Sequence, residues 1–131
     1  MKKTLFILYV LCFGSAHYCV AQQAPSAKIT TAPEETYAGT REHRVQIDVY
    51  GMDGSQAAIK THITNITALP GITYFNIVIP EGGTEGYCDL RFTASDKKEY
   101  QHMLRKVLCR MDIQKVRVNE KTFTDCQVVI P

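Results

Sequence analysis

The sequence predicts an α+β domain of βαββαβ order, an antiparallel sheet with two helices on one face. Three observations carry this expectation. Residues 44–50 alternate polar and apolar side chains at period two. Two later stretches, Ser55 to Leu69 and Ser95 to Met111, repeat apolar residues at three- and four-residue spacing. Between them, two short runs of β-branched and aromatic residues flank a glycine-rich loop.

The N-terminus of the 131-residue chain reads as an address. Lys2 and Lys3 precede an apolar run from Leu5 to Phe13 and then small and polar residues, the layout of a secretory signal. The run is too short to span a membrane. Cleavage is expected after Ala21, with Cys19 and Ala21 at the small positions, or after Ala16, with Gly14 and Ala16. Leu11 before Cys12 and Tyr18 before Cys19 are too large for lipid-anchor processing. The expected protein is exported, periplasmic or secreted, with no stable membrane span after cleavage. Its expected layout is a signal over 1–21, a flexible linker over 22–43 and a domain over 44–131.

Removing Lys2 and Lys3 from 15 basic residues leaves 13, equal to the 13 acidic ones. A neutral mature chain with no basic stripe gives no electrostatic case for nucleic acid or an anionic membrane as partner. Of five cysteines, Cys12 and Cys19 leave with a signal cut after Ala21, and Cys88, Cys109 and Cys126 remain. The simplest arithmetic is one disulfide and one thiol; cleavage after Ala16 would retain Cys19 and make the number even.

Residues 22–43 carry Gln22, Gln23, Pro25, Pro33, Glu34 and Glu35 with few large apolar groups, which favours a linker. In the first strand, Val45, Ile47 and Val49 share one face. Asp53 or Ser55 caps the first helix, whose stripe is Ile59, Ile63, Ile66 and Leu69, and Pro70-Gly71 stops it. The second strand runs over 72–79 with Phe75, Ile77 and Ile79 together. A loop with Pro80, Gly82, Gly83 and Gly86 leads to the third strand, 87–93, with Cys88, Leu90 and Phe92 together. The second helix starts at Ser95 or Asp96, with Glu99 completing a capping box, and buries Tyr100, Met103, Leu104, Val107, Leu108 and Met111. A fourth strand carries Val116 and Val118. After a turn at Asn119-Glu120-Lys121, a fifth is expected over 122–130 on the edge of the fourth. The order is that of the ferredoxin-like, or split βαβ, sheet.

The run Val45-Gln-Ile-Asp-Val-Tyr-Gly-Met52, the helix ending Leu69-Pro70-Gly71-Ile72 and the later strand–helix–strand together resemble a heavy-metal-associated domain over residues 44–118. In that family Gly-Met is followed by one residue and a Cys-x-x-Cys pair, whose thiolates bind copper(I), zinc or similar ions in metallochaperones and transport ATPases. Counted from Met52 the two positions are Gly54 and Ala57. Counted back from Leu69 they are Ser55 and Ala58. Neither register supplies a thiol, and the one-residue disagreement implies an insertion. The resemblance therefore implies the fold with a degenerate metal loop.

The loop Met52, Asp53, Gly54 and Ser55 is the candidate ligand-binding element, since it can present backbone N–H groups at a helix N-terminus. Met52 also reads as a core plug. The topology sets the end of strand one, the start of strand three and the end of helix two at one sheet edge, so Met52, Cys88 and Cys109, with a histidine, form a displaced copper or zinc set. Cys109 lies off the apolar stripe of its helix and is equally a disulfide candidate with Cys126. His43, His62 and His102 are scattered and read as solvated or half-buried. Asp53-Gly54-Ser55 is neither a phosphate loop nor a nucleophile elbow, Asn65-Ile66-Thr67 is a coincidental glycosylation triplet inside a helix, and no local signature marks an enzyme. The expected function is a non-catalytic binding module that recognises an envelope protein or another ligand through its loop edge or open sheet. The alternative is soft-metal binding or transfer by the displaced set.

Overall fold

A computed structural model describes residues 24–30 and 40–131. The signal over 1–21, its cleavage site, Cys12 and Cys19 lie outside these residues. The chain runs β1 (Ser26–Ile29), β2 (Arg41–Tyr50), α1 (Gln56–Thr67), β3 (Ile72–Val78), β4 (Gly86–Ala94), α2 (Lys97–Arg110), β5 (Lys115–Val118) and β6 (Lys121–Thr124). Among the described residues the strands make one six-stranded mixed sheet in the order β3-β4-β2-β1-β5-β6.

The α+β class stands, and the topology differs in three ways from the sequence expectation. First, the segment read as a linker over 22–43 holds a strand. β1 pairs antiparallel with β2, Ile29 opposite Ile47, and parallel with β5, Ile29 opposite Val118. Ala27 and Ile29 are buried, so these few residues fill a gap in the middle of the sheet. Second, the parallel β1–β5 pair makes the sheet mixed where an antiparallel one was expected. Third, the domain begins before residue 44, because β2 starts at Arg41 and β1 at Ser26.

Alternation puts one sheet face inside. Val45, Ile47 and Val49 of β2 lie beside Cys88, Leu90 and Phe92 of β4 and Phe75 and Ile77 of β3, all buried. His43 has the same parity. It is only 2% exposed, edge-on to Tyr100 at 5.0 Å and tilted to Phe92 at 5.9 Å, and so belongs to the core. Neither helix covers the opposite face, which is open among the described residues. There Arg44 donates two hydrogen bonds to Asp89, at 3.1 and 3.0 Å, and Arg91 lies over the Tyr74 ring at 4.9 Å. The bond to Asp89, and then its charge, hold the Arg44 guanidinium above its ordinary pKa.

Both helices begin on expected caps. Ser55 Oγ accepts from Ala58 N, and Asp96 accepts from Glu99 N at 2.8 Å. Glu99 in turn accepts from the Ser95 hydroxyl and backbone N–H, which hold its carboxyl below the usual range. α1 buries Ile66 fully and Ile59 and Ile63 in part; α2 buries Tyr100, Leu104, Val107 and Leu108. Gly71 closes α1 at φ +90°, a conformation open to glycine and costly to residues with a Cβ.

The expected fifth strand, 122–130, is shorter. β6 pairs with β5 from Lys121 to Thr124 and stops, because Asp125 and Cys126 both take positive φ, 53° and 55°. The chain turns there and runs back along α2. Arg105 Nε donates to the Val128 carbonyl at 2.8 Å, and Ile130 N donates to Gln101 Oε1 at 2.9 Å. Val128 and Ile130 join the core.

Candidate functional site

Gly51, at φ 68°, turns the chain out of β2, and Met52 follows as a buried plug at 2% exposure. Its N–H donates to the Thr84 carbonyl at 3.0 Å, tying the β2–α1 loop to the β3–β4 loop. Asp53 Oδ1 accepts from Ser55 N at 2.9 Å, an Asx turn that sets Ser55 as cap. Across from it, Gly83 N donates to the Pro80 carbonyl at 2.8 Å and Gly82 takes φ 75°. The two loops approach closely. A Cβ at Gly54 would lie 2.8 Å from the Gly83 carbonyl oxygen and 2.9 Å from Ile79 Cγ2, so only glycine fits without moving a backbone.

Between these loops lies a cleft of about 700 Å³. Met52, Ile59 and Ile79 supply its apolar surface, and Asp53, Gln56, Glu81 and Thr84 its polar surface. All four loop candidates, Met52, Asp53, Gly54 and Ser55, line it. The sequence predicts only a connecting loop for the facing wall, Glu81 to Thr84; the signal for more is its length, greater than a tight hairpin needs. Among the described residues no histidine, cysteine, lysine or arginine lines the cleft, and the Ser55 hydroxyl is engaged in capping. The surface can hold an extended or basic group.

The displaced metal set, Met52, Cys88 and Cys109, is not brought together as a donor group. Cys109 is bonded to Cys126, with Cα atoms 5.4 Å apart, which realises the expected disulfide and removes Cys109 as a thiolate. Cys88 is a free thiol, fully buried in the sheet core. Burial, and to a smaller extent the Asp48 carboxylate, push its pKa up to about 12, which opposes the thiolate that a soft ion requires. Met52 contributes at most one weak thioether. Among the described residues no three His, Cys, Asp or Glu side chains gather as a metal group. These donors do not fit copper or zinc.

The buried thiol has a measurable consequence. Its folded pKa lies above the ordinary 9.0, so its contribution to stability is complete below pH 9 and is lost as pH rises toward 12. The slope is up to about 1.4 kcal/mol per pH unit. Denaturant melts across that window should show Cys88→Ala losing less stability than wild type. A thiol reagent below pH 9 should label Cys88 only after unfolding.

Among the described residues no helix is long and apolar enough to cross a membrane. No family model matches this chain, and neither does any curated protein or solved structure.

Proposed function

We propose that the protein is an exported, non-catalytic binding module that grips a protein partner of the cell envelope in the cleft between its β2–α1 and β3–β4 loops. The observation that carries this reading is the 700 Å³ cleft, whose size suits a recognised side chain or short segment and whose apolar floor and acidic rim suit recognition. Asp53 and Glu81 at its rim favour a partner presenting a basic group.

The frame behind it is read as a ferredoxin-like sheet with one strand inserted. Without β1, the order β5, β2, β4, β3 is that of two interleaved βαβ units, and β1 intercalates where the first and last strands would meet. The likeness to heavy-metal-associated domains is proposed for this frame. The metal function is not, because Gly54, Ser55, Ala57 and Ala58 stand where thiols would be.

A photo-crosslinking residue at Gln56, on the cleft, should capture a defined envelope partner; one at Lys97, at the opposite end of the sheet, should not. Glu81→Lys, an exposed change that leaves the core untouched, should reduce capture about tenfold or more by reversing the rim charge. Gly54→Ala should reduce it by displacing the facing loop, and cost about 1–2 kcal/mol. Equal capture at both positions, or capture indifferent to Glu81, refutes the cleft. Tight uptake of one equivalent of copper(I) or zinc by the mature protein would revive the soft-metal reading instead.

A further inference from the structure

The open sheet face holds a second, independent feature over β1 and β5. Register places Lys28 between Asp48 on β2 and Arg117 on β5, and Ser26 between Tyr50 and Lys115. Ser26, Lys28, Tyr50, Lys115, Arg117 and Thr122 line a shallow cleft of about 380 Å³; among the described residues no carboxylate lines it, and Asp48 stands beside Lys28 outside the lining. Like charges facing each other across a strand pair are destabilising. Elsewhere on this face the cations are compensated, since Asp89 sits between Arg44 and Arg91, at 3.0 and 3.8 Å. Lys28, Lys115 and Arg117 make no ion pair among the described residues. Three cations, against the single neighbouring carboxylate of Asp48, share one concavity with two hydroxyls and the 37% exposed Tyr50 ring.

We propose that this cleft binds an acidic polysaccharide, with a sugar ring stacked on Tyr50, its carboxylate or sulfate between Lys28 and Arg117, and its hydroxyls on Ser26 and Thr122. Charge complementarity sets the sign of the ligand, and the backbone sets its class. β1 is hydrogen-bonded on both sides, to β2 and β5, so a peptide has no strand edge to extend here and must rely on side chains alone. A nucleic acid draws its affinity from many phosphate contacts, and three cations supply few. A sugar acid needs only what is present: a flat ring, a charge clamp and hydroxyl partners.

Titration calorimetry on the mature protein, at low salt, tests this with four probes: polygalacturonate, dextran sulfate, neutral dextran and polyglutamate. Binding of one or both acidic glycans is expected, with dextran silent and polyglutamate at least about tenfold weaker. Binding of one alone tells whether carboxylate or sulfate is the recognised group. Lys28→Gln, Arg117→Gln and Tyr50→Ala should each weaken the bound glycan about tenfold. The melting temperature of Lys28→Gln should stay near that of wild type, since the repulsion by Arg117 and the attraction by Asp48 are lost together. Failure of both acidic glycans to bind overturns the proposal, as does equal binding of polyglutamate or variants that bind like wild type.

Discussion

Ile29→Ala should cost about 2–5 kcal/mol, a large share of the roughly 5–15 kcal/mol that holds a domain folded. Ile29 is fully buried between Ile47 on β2 and Val118 on β5, so removing its side chain opens a cavity bounded by two strands that cannot close on each other. The backbone of β1 holds them apart: the Ile29 carbonyl accepts from Asn119 N at 3.3 Å and the Pro25 carbonyl from Gln114 N at 2.9 Å. Urea melts of Ile29→Ala and of Lys28→Gln, one residue away on the open face, make the test. A linker over 22–43 would leave both near wild type; an inserted central strand gives a large loss at Ile29 and none at Lys28.

That strand shows where sequence reading stopped. Ser26-Ala27-Lys28-Ile29 does alternate, but two apolar positions are too few to establish a period, and Ala27 is small. What stabilises it is a slot between β2 and β5, the latter some ninety positions away, so the information is non-local. His43 is a milder case. It sits at the buried parity of Val45, Ile47 and Val49, yet a polar side chain masked the continuation of the strand to Arg41 until Phe92 and Tyr100 were seen around it. By contrast, the helices were legible because their signals are local: Ser55 and Asp96 cap, Leu69-Pro70-Gly71 stops, and the stripes repeat several times.

The site was legible by half for the same reason. Met52 to Ser55 could be singled out from the loop's own chemistry, while the facing wall depends on how far the β3–β4 hairpin folds back, which the Met52–Thr84 hydrogen bond fixes. The cation cluster of the open face could not be read at all. Lys28, Lys115 and Arg117 are distant in sequence, and a formal net charge of +2 over the whole chain gives no sign that they meet.

Loss of the Cys109–Cys126 bridge should lower stability by about 3 kcal/mol, by freeing a loop of 17-residue separation in the unfolded chain. The folded state makes that loss more than an entropy term. Gln101, Arg105 and Cys109 recur every four residues on α2, a rise of about 6 Å, while Ile130, Val128 and Cys126 recur every two on the extended tail, about 6.6 Å. The two repeats nearly match, so the bond to Ile130, the bond to Val128 and the disulfide lie in register as three rungs. The bridge also stabilises the left-handed backbone at Cys126, which a β-carbon disfavours. Cys109→Ser with Cys126→Ser, or dithiothreitol on wild type, should therefore give the same drop in a urea melt. Amide exchange at Ile130 should quicken ahead of global unfolding, because without the bridge only two hydrogen bonds and the buried Val128 and Ile130 side chains hold the tail to α2. An unchanged midpoint, or Ile130 exchange that follows only global unfolding, would show that Val128 and Ile130 secure the tail without the bridge.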